Sequence, residues 1–392
     1  MASEPQGVVE DGWGAVADAF REVLERPQSG AAAVAVHDGG RLVVDLRGGA
    51  DPIIGATFQE DSLMLVASCT KGITATVLGM LVERGVVDPD ERVAHYWPEY
   101  GVRGKEAMTV AMVASHRAGL PFPPVGSGLS GLDFHRGPAL VAALADAEPL
   151  WEPGTAMGYH ATTYGTLLGE IVRRASGRTI GDLVGGLIRE PLGADVWIGL
   201  PEQQVDRLLP GRWTVDLRAA TADPDPEPGS YAAVRAASLA EAPAPEPDWS
   251  DRDSVAAWAG AEIPAGNGAT NARALSRMYA ATLGEVDGVR LYGEETRRRL
   301  TTPLTDDVPS LVEQGTTGPS IRFGLGYQLS SPSMPGLGPR TYGHTGAGGR
   351  LGIADPDTGL SFGFVCGRME LIGPDGNDRW TRLLDAVRSV RG

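Results

Sequence analysis

An α+β fold is expected, with an antiparallel sheet built from both ends of the chain, flanked by helices, and a mostly helical domain inserted between. Three features of the 392-residue sequence lead there. Strand-like apolar runs occur near the start and again in the last quarter. The long middle is a series of helical patterns joined by Pro- and Gly-rich loops, and helical patterns also flank the strands at both ends. On this reading residues 1–85 and 268–392 form an α/β domain around the sheet. Residues 86–267 form a helical domain with a flexible Pro-rich insert at 211–250. No internal repeat is visible.

Trp13, Val16, Phe20, Val23 and Leu24 mark an amphipathic helix over 12–26, ended by Pro27. Residues 31–36 and 41–46, separated by Asp38-Gly39-Gly40, read as a β-hairpin. The apolar run 63–67 then stops at Ser68. Behind it Ile73, Val77, Leu78, Leu81 and Val82 recur at helical spacing as one buried face, closing at Gly85. Further helices are expected at 110–116, 138–147, 161–175 and 179–189. The 211–250 stretch, rich in Pro, Asp, Glu and Ala, reads as a surface excursion or a lid. Leu275, Met278, Tyr279 and Leu283 signal another helix. Strands follow at 322–329, 340–344, 351–354 and 360–367, the last two joined by the turn Asp355-Pro356-Asp357-Thr358-Gly359, and a final helix spans 378–390.

A hydrophobic content of 42% suits a substantial core, and the formal net charge of −16 argues against nucleic-acid and anionic-membrane partners. Cys69 and Cys366, far apart and each in an apolar stretch, read as buried small side chains. No Cys/His spacing suits zinc, so no metal and no cofactor is expected. The first residues carry no export signal, and no apolar run reaches the roughly 18 residues of a membrane span, so a cytoplasmic protein is expected.

Ser68 sits at the first turn of its helix, where free backbone N–H groups and the helix dipole favour an oxyanion. Lys71, three residues on, comes back beside it. A lysine half-buried at a helix start loses pKa and becomes a base, and a serine with a base in reach is a nucleophile. A serine is also an ordinary helix cap, so the pair gains weight only from its company further along the chain. Tyr159 precedes a helix, so its phenol can project from the helix start; near a lysine ammonium it would have a lowered pKa and shuttle a proton. His344-Thr345-Gly346-Ala347-Gly348-Gly349 ends a strand in small residues that let a substrate approach the backbone.

These three sites, in this order and spacing, resemble the serine β-lactamase and penicillin-binding-protein superfamily, most closely its class C β-lactamase-like esterases and acyltransferases. The resemblance covers nearly the whole chain. Further matches are Ser115-His116-Arg117-Ala118-Gly119-Leu120, Trp151-Glu152-Pro153-Gly154, Leu168-Gly169-Glu170-Ile171 and Leu351-Gly352-Ile353-Ala354-Asp355-Pro356. It implies a β-lactamase/transpeptidase-like fold. It also implies that Ser68 is acylated, Lys71 activates it and Tyr159 relays the proton. The backbone N–H groups of Ser68 and Ala347 would form the oxyanion hole. His344, Thr345 and Gly346, with His160 and Ala161 beside the tyrosine, are the expected substrate-binding residues.

Two departures bear on function. Ala161 stands where β-lactam-processing members carry the Asn of Tyr-x-Asn, and His344 stands where the family often has lysine. Both point away from β-lactamase and D,D-peptidase chemistry, towards a carboxylesterase on small neutral esters. A transacylase moving the acyl group to an amine or alcohol is the alternative. A D-aminopeptidase, or an inactive binding scaffold, is expected less. The partners are thus a small-molecule acyl donor and an acceptor. Gly359-Leu360-Ser361-Phe362-Gly363 mimics a nucleophile elbow, but Ser361 opens a strand-like run and no histidine comes after it, so it is set aside.

Overall fold

The computed structural model describes residues 4–26, 30–215, 227, 229–241, 247–312, 321–332, 334, 336–371 and 378–391. Parts of the Pro-rich 211–250 insert therefore lie outside the described residues. Among the described residues the main sheet has eight strands in the order Gln6–Val9, Arg41–Gly48, Ala32–Asp38, Leu360–Cys366, Arg350–Asp355, Tyr342–Gly346, Gln328–Leu329 and Arg322–Phe323. Every pairing is antiparallel. The two chain ends meet at its centre, where Val34 faces Phe364 and Ala35 faces Gly363.

Alternation along the strands gives the sheet two unlike faces. Val34, Val36, Phe362 and Phe364 point to one side and bury against Val16 and Phe20 of the Gly14–Glu25 helix and Trp380 and Leu383 of the Asp378–Ser389 helix. The other side is lined by small residues, Ala33, Ala35, Gly352 and Gly363. A Cβ at Gly352 would lie 2.7 Å from the Tyr279 ring, and one at Gly363 would collide with the Ala272 carbonyl. Smallness on this face lets the Ala272–Leu283 helix lie directly on the strands.

The Cys69–Glu83 helix was expected to bury one face. Instead every residue from Cys69 to Leu81 is buried. It runs between the sheet and the helical region, which includes Val110–Ala114, Pro138–Asp146 and Thr163–Ser176, and so has no solvent side. Its polar residues find partners: Thr74 donates to the Pro264 carbonyl at 2.7 Å, and Thr76 shares a bond with the Tyr327 hydroxyl at 2.7 Å.

Two strand readings change. The run 322–329 is not one strand but a tight hairpin, because Gly324 donates back to the Tyr327 carbonyl at 2.9 Å and Gly326 takes a φ of +91°. The edge strand Gln6–Val9 carries too short an apolar pattern to be read from sequence; it forms because the Arg41–Gly48 edge offers it backbone partners. Within 211–250, Arg212–Trp213 pairs in parallel with Arg368–Met369, and Tyr231–Glu241 is a helix. Among the described residues no helix is long and apolar enough to cross a membrane.

Candidate active site

The chain enters the central helix through a strained step. Ala67 has a φ of +47°, unfavourable for any residue with a Cβ. Its neighbours hold it there: Val66 donates to the Gly268 carbonyl at 2.8 Å, and the Ala67 carbonyl accepts the Thr70 hydroxyl at 2.6 Å. Ser68 then takes the cap position with no side-chain capping bond, so its hydroxyl is left for other work.

Lys71 supplies the partner. Its Nζ lies 3.3 Å from Ser68 Oγ, 3.0 Å from the Ala161 carbonyl and 2.8 Å from the Ala265 carbonyl. The side chain has no solvent exposure, and burial lowers its pKa to about 7. Among the described residues no carboxylate meets the amine; its other acceptors are neutral, so the charge has little to stabilise it.

Tyr159 projects over this amine, with Lys71 Nζ 4.9 Å from its ring centroid. Its phenol runs opposite to the expected shift. Burial raises it, and a hydrogen bond with Ser68 offsets only part of that. A lowered phenol needs a permanent ammonium beside it, and burial has removed that permanence from Lys71.

Gly346 brings the Tyr342–Gly346 strand alongside the helix start, for a Cβ there would collide with the Val66 carbonyl. Ala347 follows at the exposed rim, its carbonyl held by the buried Arg350 at 2.8 Å. Neither the Ser68 nor the Ala347 amide donates to another backbone group among the described residues. Thr345 is turned to Gln328, to which its amide and hydroxyl both donate at 2.9 Å.

His344 is 2% exposed, and its ring centre lies 6.2 Å from that of Tyr159. Its Nδ1 lies 2.6 Å from the Thr345 carbonyl, which makes Nδ1 the protonated nitrogen; among the described residues Nε2 has no hydrogen-bond partner. Burial and Lys71 lower its pKa to about 3, so the imidazole is neutral.

His160 is a correction. It was expected among the substrate contacts, yet it has no exposure and both ring nitrogens are engaged. Nδ1 meets the Gly158 carbonyl at 2.6 Å, and Nε2 accepts from the Leu120 amide at 3.1 Å. It braces the loop. Ala161 contributes its carbonyl to Lys71 and presents only a methyl at the exposed rim.

Sequence reasoning left out three contributors. His116 (φ +62°) accepts from the His160 amide at 3.0 Å; only its place in Ser115-His116-Arg117-Ala118-Gly119-Leu120 could have flagged it. The Ala265 carbonyl is backbone and leaves no sequence signal. Tyr231, from the Pro-rich excursion, donates to the Tyr159 carbonyl at 2.7 Å.

Ser361 lies in a strand, 1% exposed, donating to the Ser276 carbonyl at 2.8 Å. Both cysteines are free and buried. Among the described residues no group of three or more His, Cys, Asp or Glu could hold a metal. A cavity of about 730 Å³ lies elsewhere, between Trp97, Val141, Glu170 and Pro264, with none of Ser68, Lys71 or Tyr159 in its lining. The groups that can do chemistry are those at the start of the central helix, and cavity size does not mark them.

The Beta-lactamase family model matches residues 16–387. The chain is 32% identical to Esterase/beta-lactamase LipL of Mycobacterium tuberculosis, over 93% of this chain and 83% of that protein. Two solved structures are similar throughout. EstA from Arthrobacter nitroguajacolicus Rue61a is 34% identical with a TM-score of 0.82, covering 99% of this chain and 98% of its own. A family VIII carboxylesterase is 31% identical with a TM-score of 0.80, covering 99% and 100%.

Proposed function

The chain belongs to the β-lactamase family, in the serine β-lactamase and penicillin-binding-protein superfamily, and is a serine hydrolase; from that premise we propose that it is a carboxylesterase acting on small uncharged esters through an acyl-Ser68 intermediate. The observation that supports this best is a fully buried lysine, with a pKa of about 7, whose amine lies 3.3 Å from a serine hydroxyl that caps nothing.

Above pH 7 the Lys71 amine is a free base. It takes the Ser68 proton as Oγ adds to the ester carbonyl. The Ser68 and Ala347 amides receive the oxyanion, each such donor being worth about 3–4 kcal/mol in other hydrolases. Tyr159 passes the proton to the departing alkoxide, which leaves as alcohol. Water then adds to the acyl carbonyl while its proton passes to Tyr159 and Lys71; the acyl–Oγ bond breaks, Ser68 Oγ takes that proton back, and the carboxylic acid leaves. A neutral His344 and the methyl of Ala161 offer no cation and no amide, which favours uncharged acyl donors over β-lactams, although the LipL relative carries both esterase and β-lactamase in its name. An alcohol or amine reaching the same intermediate first would make the reaction an acyl transfer, and adding one shows how the products partition.

The test is a burst of p-nitrophenol from a short-chain ester, with intact-mass detection of the acyl adduct. Both are expected with the unaltered chain and neither with Ser68→Ala; full turnover by Ser68→Ala would overturn the reading. A cytoplasmic location, and independence of nucleic acid and membrane, belong to the same proposal and are read by cell fractionation.

A further inference from the structure

Tyr159 and Ala161 belong to no helix or strand, yet the phenol of one and the carbonyl of the other flank the Lys71 amine. The loop carrying them is pinned from two sides. On one, Gly158 donates to the His116 carbonyl at 3.1 Å, the His160 amide donates to His116 Nδ1 at 3.0 Å, and His160 Nδ1 meets the Gly158 carbonyl at 2.6 Å. On the other, the Tyr159 carbonyl accepts two bonds, from the Ala161 amide at 3.0 Å and from the Tyr231 hydroxyl at 2.7 Å.

The Tyr231 ring is seated for this. It packs on Phe122, with ring centres 5.2 Å apart, and lies over Gly158, where a Cβ would be 3.1 Å from Tyr231 Cε2 and 2.5 Å from Trp151 Cη2. A side chain at Gly158 would collide with Trp151 and press on the Tyr231 ring. The same helix has a second anchor, Ser238 donating to the Pro123 carbonyl at 3.4 Å, which does not touch the loop.

We propose that Tyr231 is a positioning residue for the reaction: its hydroxyl clamps the Tyr159 peptide, and so holds the phenol and the Ala161 carbonyl together against Lys71. The Pro-rich excursion then contributes to turnover through one hydrogen bond. The inference rests on the proposed catalytic roles of Ser68, Lys71 and Tyr159.

Tyr231→Phe removes the bond and keeps the ring. In the full chain it is expected to lower kcat about 3- to 10-fold, the worth of one hydrogen bond in a rate, with KM and Tm nearly unchanged. The acid limb of the pH profile moves to lower pH, because a lysine whose carbonyl partner is loosened gives up its proton more readily. Ser238→Ala loosens the helix without touching the clamp and leaves kcat and the limb in place. Unchanged kcat in Tyr231→Phe overturns the inference. So does an equal loss of kcat in Ser238→Ala, which would mean that helix packing alone matters. Ser68→Ala and Tyr159→Phe serve as controls. If either retains full activity the underlying reading fails, whereas a silent Tyr231→Phe beside two inactive controls removes this inference alone.

Discussion

Lys71 has no solvent contact and, among the described residues, no carboxylate to offset its charge, which matters both for catalysis and for stability. The first effect is catalytic. With the free amine as the proposed base, kcat/KM is expected to fall as pH drops through about 7, and Lys71→Met to lower it by about 10²–10⁴-fold, the usual worth of a positioned general base. Steady-state kinetics from pH 5.5 to 9 check both. The second concerns stability. An unfolded lysine keeps its proton up to its ordinary value near 10.5, whereas the folded one releases it near 7. Between those values the unfolded chain binds more protons, so this residue makes folding more favourable as pH rises, by about 1.4 kcal/mol per pH unit. Lys71→Met is therefore more stable than the unaltered chain at pH 7, and the gap closes towards pH 10. Urea unfolding at several pH values reads that difference. The pairing of Ser68 with Lys71 was legible in the sequence because a helix fixes how residues three apart meet. The depth of burial that sets the lysine's pKa was not, since the Ala161 and Ala265 carbonyls come from distant stretches.

At the scale of elements, the packing of the Ala272–Leu283 helix depends on what the strands beneath it lack. The Ala272–Leu283 helix lies on the sheet because Gly363 and Gly352 present no side chain to it. Gly363→Ala would drive a methyl into the Ala272 carbonyl, a backbone atom with little freedom to move. It is expected to cost about 1–3 kcal/mol, although alanine suits a strand no worse than glycine. A denaturant midpoint lowered with an unchanged slope checks it; no loss would show that the helix can shift. Most elements were readable from periodicity, as with the Ser68 helix, the 31–46 hairpin and the two terminal helices. The 322–329 run misled because period and composition do not reveal a glycine hairpin, and the central helix misled because a face count cannot tell a surface helix from one enclosed on all sides.

At the scale of the whole molecule, the histidines set an acid limit. His37 and His135 are lowered to about 4 by burial, His160 and His344 to about 3 with Lys71 adding to the effect of burial, and His116 lies well below its ordinary value. All five are neutral in the folded chain at pH 5, whereas in the unfolded chain they take up protons below about 6.5. Stability therefore falls as pH drops from 6.5 towards 4, each histidine withdrawing about 1.4 kcal/mol per pH unit. At pH 5 unfolding is expected to take up at least about four protons, read from the slope of stability against pH. An uptake near zero would mean that these rings are not held neutral.

The sequence alone determined the architecture, a sheet drawn from both chain ends and flanked by helices, with one helix opening at Ser68, because strand alternation and helical period are local properties of the chain. It also determined which serine and lysine meet, through the pitch of that helix. Only the tertiary structure decided the environment of the pair: which carbonyls hold the amine, that His160 braces a loop, that His344 is neutral, and that Tyr231 reaches the Tyr159 peptide from the excursion. Those contacts join residues far apart in the chain, and desolvation, which sets their protonation, exists only once the layers have closed over them.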